Sequence, residues 1–324
     1  MGKKAIGIDI GGTAIKGAVI DENGICGSVT RVPTEAAKGG RRIMENILSL
    51  IGKLIDGNGG SAEAFIGVGV GTPGFVDADG SILNGGANMP GWTGTRVYEP
   101  IAERFGLKAS AANDVTSVAL AELMFGAGRG IKNMVCFALG TGVGGGIVTD
   151  GRLYKGSHGM AGEIGHIVVE TDGEPCPCGQ YGCVERYASA TGIVNAAIET
   201  VTLGKGWTTE LTKIVRETPG DLTSKIVYEY VAKGDALALH VHEKACDMLG
   251  RAVGIVINTF SPDRVVIGGG VMMAGNVVIE TVKKYAARHC WPEIYKYCKI
   301  VPAEMGEDAG VLGAGALALE AFAG

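Results

Sequence analysis

Residues 5–21 read AIGIDIGGTAIKGAVID, and the alternation in this stretch decides the fold. Ile6, Ile8 and Ile10 recur with the period of two expected of a strand with one buried face. Gly11-Gly12-Thr13 interrupts the run and a second apolar run follows to Ile20, which predicts strand, tight turn, strand. Such a turn offers backbone N–H groups and the Thr13 hydroxyl to an anion, with Lys16 nearby. Asp9 lies inside the first strand, a costly place for a carboxylate unless it meets a cation. A related pattern returns at residues 135–151, VCFALGTGVGGGIVTDG, where Gly140-Thr141-Gly142 separates two apolar runs. The repetition is either an internal duplication gripping a phosphate chain or two ordinary hairpins with glycine turns.

Two phosphate motifs are excluded. Gly140, Gly142 and Gly145 satisfy G-x-G-x-x-G, but Ile147-Val148 and an Asp-Gly turn follow where the dinucleotide fingerprint requires a helix. No G-x-x-x-x-G-K-[ST] occurs. A third cluster, Gly268-Gly269-Gly270, follows the strand-like RVVI (264–267), where glycine would let a flat ring lie against the backbone. Helical patterns are expected from about Ala236 to Thr259 and from near Asn276. Residues 202–221 are polar and read as a surface excursion.

The remaining composition narrows the class. The 324 residues include 55 glycines, far above the roughly 7% average, without a G-x-y period, so collagen is excluded. The net charge of −5 and the lack of a basic block leave no nucleic-acid footprint. No apolar run approaches the roughly 18 residues of a membrane span, and no signal peptide is evident. Eight cysteines in such a chain suggest a reducing cytoplasm.

Residues 163–185, EIGHIVVETDGEPCPCGQYGCVE, hold His166, Cys176, Cys178 and Cys183. One imidazole and three thiolates suit a tetrahedral zinc ion, and four protein ligands leave no open position, which argues for a structural role. Buried free cysteines are the other reading, but glycine and proline break the segment too often for a core element. Zinc does not account for Glu163 and Glu185. Elsewhere, Asn113-Asp114 opens a helix-like segment, where Asp is a good N-cap and capping is the favoured reading of the residues alone.

In family order, IDIGGTAIK, GTPGFVD (71–77), GANMPGW (86–92), Asn113-Asp114, LGTGVGGGI (139–147), EIGH (163–166), CPCGQYGCVE (176–185) and VIGGGV (266–271) resemble the ROK family of sugar kinases and sugar-responsive repressors. Within it the chain is most similar to the ATP-dependent glucokinases. The resemblance covers essentially the whole chain. The cysteine block is its most specific part; the first hairpin is shared with hexokinases and actin. It implies an α/β, actin-like ATPase fold of ribonuclease H type, with two lobes and a central cleft. Residues 1–117 plus 306–324 would form the small lobe and 118–305 the large one.

The resemblance also implies roles. Asp114 would be the base that takes the proton of a hexose 6-hydroxyl. Asn88, Asn113, Asp114, Glu163, His166 and Glu185 would bind the sugar. Asp9, Gly11, Gly12, Thr13, Lys16, Thr141, Gly142, Gly269 and Gly270 would hold ATP and Mg²⁺. Structural Zn²⁺ on His166, Cys176, Cys178 and Cys183 would stiffen the sugar wall. Glucose is the expected substrate, with N-acetylmannosamine, allose or a polyphosphate donor as alternatives. A sugar-sensing repressor would need a helix-turn-helix before the first hairpin, and only four residues precede Ala5. A non-catalytic, zinc-stabilised protein is countered by the presence of both Asp9 and Asp114. Family members are usually homodimers or homotetramers, and a cytoplasmic location is expected.

Overall fold

The computed structural model describes residues 3–86, 89–204 and 206–323. They divide into two compact units. The first comprises Met1–Gly130, Gly146–Gly162 and Met305–Gly324, the second Ile131–Gly145 and Glu163–Glu304.

In the first unit the alternation of residues 5–21 becomes β1 (Lys4–Ile10) and β2 (Ala14–Asp21), an antiparallel pair in which Asp9 faces Lys16. The sheet also contains β3 (Gly24–Ile25), β4 (Thr30–Pro33), β5 (Phe65–Thr72) and β8 (Ala109–Asn113), in the order β3-β2-β1-β5-β8 with β4 on β2. A small ribbon, β6 (Phe75–Val76) with β7 (Ile82–Asn84), stands apart. The helices are α1 (Gly40–Asp56), α2 (Tyr98–Phe105), α3 (Asp114–Phe125) and α11 (Ala309–Phe322).

The period of two assigns the faces of β1. Ile6, Ile8 and Ile10 join Ile43, Ile47, Leu50 and Ile51 of α1 in one apolar core. Ala5, Gly7 and Asp9 point the other way, toward α11, and there small side chains are a steric necessity. A Cβ on Gly7 would come within 2.4 Å of the Val311 carbonyl, and one on Gly69 within 1.7 Å of that of Ala314. The Gly/Ala tail thus lies backbone-to-backbone on the sheet. It also packs along α3. A boundary at residue 117 would cut through α3, so residues 118–130 group with the first unit, as do 146–162.

The second unit is built on β9 (Met134–Leu139), β12 (Arg264–Gly268) and β13 (Lys299–Pro302), which are parallel. Next to β9 runs β10 (Val143–Thr149), whose far end passes into the first unit and pairs there with β11 (Arg152–Leu153). The order β11-β10-β9-β12-β13 repeats that of the first sheet: a meander of three strands, then two parallel strands beside the first. The duplication suspected from the two hairpins is therefore present in the topology. Helices α4 (Glu185–Ala188), α5 (Ala190–Thr202), α6 (Glu210–Glu217), α7 (Ser224–Ala232), α8 (Ala236–Phe260), α9 (Asn276–His289) and α10 (Pro292–Tyr295) complete the unit. The segment 202–221 is more than a surface excursion, since α6 buries Leu211 and Val215 and carries a Thr209 capping box. Among the described residues no helix is long and apolar enough to cross a membrane.

Candidate active site

In the first unit the turn Gly11-Gly12-Thr13 is braced from below. Gly11 N donates to Ala14 O at 3.0 Å, Thr34 N to Thr13 O at 3.0 Å, and the Thr34 hydroxyl to Gly11 O at 2.5 Å. Buried Thr34, which no local sequence signal singles out, sets the turn. Nothing lies within 4 Å of where a Gly12 Cβ would be, so this side of the backbone is open. Asp9 is half-buried, and its pKa is raised to about 6, first by burial and then by repulsion from Asp114, with Lys16 opposing. The first turn of α11 touches it: a Cβ on Gly310 would come within 2.5 Å of Asp9 Oδ2. Lys16 does not extend freely. Its Nζ donates to the Glu307 carbonyl at 2.9 Å, fastening the hairpin to the start of α11.

The capping question at residues 113–114 resolves in favour of asparagine. Asn113 is the N-cap of α3: its Oδ1 accepts from Val115 N at 3.0 Å and Thr116 N at 3.3 Å, while its Nδ2 donates to Gly74 O at 3.2 Å. Asp114 is the first helical residue. Its Oδ1 accepts from Val115 N at 2.9 Å. Burial raises the Asp114 pKa, partly offset by the Val115 N–H. A carboxylate tilted toward proton uptake is what a general base needs. Asn88 lies outside the described residues. Its neighbour Trp92 is fully buried and donates its ring N–H to Thr72 Oγ1 at 2.8 Å, anchoring that loop.

In the second unit Thr141 and Gly142 form the β9–β10 turn, closed by Gly140 N donating to Gly142 O at 2.9 Å. Gly268 is in register with Ala138, so the cluster Gly269-Gly270 emerges at the same sheet end as the turn. Gly269 has φ +93°, and a Cβ there would lie 2.5 Å from the Leu139 carbonyl. Nothing would meet a Cβ on Gly270. Ligands favour such carboxyl ends of parallel strands.

The zinc expectation can be tested on donor geometry. The ligand atoms of His166, Cys176, Cys178 and Cys183 all lie within 4.8 Å of one another. Cys176 Sγ is 3.6 Å from His166 Nδ1, and Cys178 Sγ is 3.7 Å from Cys183 Sγ. Zn–S bonds of about 2.3 Å at tetrahedral angles separate ligand atoms by about 3.7 Å, so the residues fit such an ion. With Nδ1 turned to the thiols, His166 Nε2 is left 3.9 Å from Glu163 Oε2. Glu185 opens α4 directly after this loop and accepts the Val143 N–H at 2.9 Å.

The model of the ROK family matches residues 5–321. A glucokinase of Halalkalibacterium halodurans is 38% identical over 311 residues, covering 96% of this chain and 93% of its own. A glucokinase of Thermotoga maritima is 34% identical over 322 residues, 99% of each. Among solved structures, a ROK hexokinase from Thermus thermophilus aligns with a TM-score of 0.84 at 28% identity, covering 99% of this chain and 100% of that one. A ROK family glucokinase from Streptomyces griseus, in complex with glucose and AMPPNP, aligns at 0.78 with 29% identity, covering 98% and 99%.

Proposed function

Because the chain belongs to the ROK family, with its actin-like ATPase fold, we propose that it transfers the γ-phosphoryl group of ATP to the 6-hydroxyl of glucose. It is an ATP-dependent sugar kinase. The observation that carries the residue assignment is Asp114, a half-buried carboxylate with a raised pKa, held at a helix start by the Asn113 cap.

In this mechanism Asp114 accepts the proton of the sugar 6-hydroxyl as that oxygen bonds to the γ-phosphorus. The bond from phosphorus to the β–γ bridging oxygen breaks, and ADP leaves. Backbone N–H groups and hydroxyls of Gly11, Gly12, Thr13, Thr141 and Gly142 orient phosphate oxygens, and Gly269 and Gly270 accommodate the base. Asp9 fits a cation-orienting role, because a half-buried carboxylate beside a second one is relieved by positive charge. Mg²⁺ supplies charge neutralisation on the phosphates when bound. Lys16 steadies the first turn. Asn88, Asn113, Asp114, Glu163, His166 and Glu185 hold the sugar hydroxyls, with Asn113 retaining one amide N–H beyond its bond to Gly74. His166 and the three cysteines would hold zinc, which when bound would supply no reaction chemistry and would fix the imidazole tautomer.

A coupled ADP-release assay over glucose, mannose, allose, N-acetylglucosamine and N-acetylmannosamine, with ATP and then polyphosphate as donor, tests the reading. Fastest turnover with glucose and ATP is expected. Preference for an N-acetylated sugar, or no sugar-dependent ADP release, overturns it.

A further inference from the structure

The second hairpin is held from behind by the segment that carries a sugar-wall glutamate. Glu185 Oε2 accepts the Val143 N–H at 2.9 Å, and a Cβ on Gly142 would fall 2.3 Å from that same oxygen. The contact exists because residue 142 has no side chain. The following residues extend the brace: Thr191 Oγ1 donates to Thr141 O at 2.9 Å and Ala190 N to Gly140 O at 2.9 Å. From the other side, a Cβ on Gly165 would lie 1.8 Å from the Val143 carbonyl, and Ile164 fills the space that Gly145 leaves. The second carboxylate oxygen of Glu185 has no hydrogen bond among the described residues.

We propose that Glu185 is a positioning residue for the nucleotide as well as a sugar ligand: one carboxylate oxygen fixes the amides of hairpin 140–143 and the other meets a sugar hydroxyl, so the two substrates bind with positive cooperativity. The proposal rests on the sugar-kinase reading. A glutamate side chain loses rotamer freedom when it is fixed. A sugar on the second oxygen holds the carboxylate against the Val143 N–H, and phosphates on the hairpin hold that N–H in place, so each substrate favours the geometry the other uses. The coupling is reciprocal, so sugar sharpens nucleotide binding as much as nucleotide sharpens sugar binding. The phosphates are then best aligned when the acceptor is present.

The test is titration calorimetry of Mg²⁺-AMPPNP into the wild type, Glu185→Ala and Glu185→Gln, first without sugar and then with saturating glucose. Glucose should tighten AMPPNP binding to the wild type about three- to tenfold. Without sugar, Glu185→Ala should bind AMPPNP about tenfold more weakly, having left the Val143 N–H unpaired. Glu185→Gln keeps an acceptor for that N–H and should stay within about threefold of wild type. Unchanged sugar-free AMPPNP affinity in Glu185→Ala would make the residue a sugar ligand alone and overturn the proposal. Should that variant melt too low to titrate, Gly142→Ala presses a methyl group against Oε2 from the hairpin side and must weaken AMPPNP and glucose together; loss of AMPPNP alone overturns the link. Wild-type phosphorylation of glucose runs alongside. If it is absent the sugar-kinase reading fails, whereas an active wild type with an indifferent Glu185→Ala defeats only the positioning role.

Discussion

Around Gly11-Gly12-Thr13 hydrogen bonds from Thr34 hold the turn and charged groups stand beside it: Asp9 in the strand before it, Lys16 across the hairpin and Asp114 close enough to raise the Asp9 pKa. Around Gly140-Thr141-Gly142 the support comes from hydrogen bonds to α4 and α5 and from close-packed glycines, and the Glu185 carboxylate is bonded to the Val143 N–H. The two units share a strand order and differ in what stands behind the same turn. In the first unit two half-buried carboxylates, Asp9 and Asp114, stand near the turn. In the second a glutamate is bonded into the turn itself. The topology is repeated, and the side chains around each turn are not.

Asp114→Asn is the largest break in that comparison. Turnover should fall about 10²–10⁴-fold with glucose affinity held within about tenfold, because only the proton acceptor is lost. Steady-state kinetics beside a glucose titration would check this, and a near-normal kcat would move the base elsewhere.

Zinc removal should act on the second unit alone. After chelation verified by metal analysis, the melting temperature should fall by about 5–10 °C and the glucose KM should rise. Hydrogen exchange should quicken in residues 163–185 and stay slow in 5–21. Unchanged melting and sugar binding would show that the four ligands hold nothing the fold depends on.

Asp9 gives a smaller effect with a defined pH sign. Its folded pKa of about 6 lies above the model-compound value of 3.8, so ionising it costs the folded state. That cost is absent at low pH, grows as pH rises from about 4 to about 6, and is complete above that. Without Mg²⁺, Asp9→Asn should therefore be more stable than wild type by about 2 kcal/mol at pH 8, with the gain vanishing toward pH 4. Denaturant melts at both pH values would show it. Equal stability at pH 8 would mean that Asp9 is not strained by its burial.

The glycines sharpen the comparison last. Gly142→Ala meets Glu185 and should cost about 1–3 kcal/mol, while Gly12→Ala meets nothing and should stay within about 0.5 kcal/mol. Equal costs would erase the difference in support.

Much of this was legible in the sequence because the signals are local. The period-two run of residues 5–10 with its glycine stop, the RVVI strand and the helix beginning near Ala236 all reappear as elements. The cysteine spacing gathers four ligand atoms because the loop itself brings them together. What stayed hidden depends on partners far along the chain. Asn113 and Asp114 are both good caps, and only the fold shows which one occupies the N-cap position. Lys16 lies beside the first turn as the sequence suggests, but that its amine also reaches Glu307, nearly the whole chain away, has no local signal. The sequence says glycine at Gly310 and Gly142 without saying that each makes room for a carboxylate. The division at residue 117 missed that α3 packs on the C-terminal helix.

The most direct test of the central claim follows the phosphorus. The protein, incubated with Mg²⁺-ATP and glucose, is read by ³¹P NMR. The account predicts glucose 6-phosphate rising in step with ADP, and little free phosphate when glucose is omitted. Phosphate ester at another carbon, or inorganic phosphate released at the same rate with or without glucose, would contradict it.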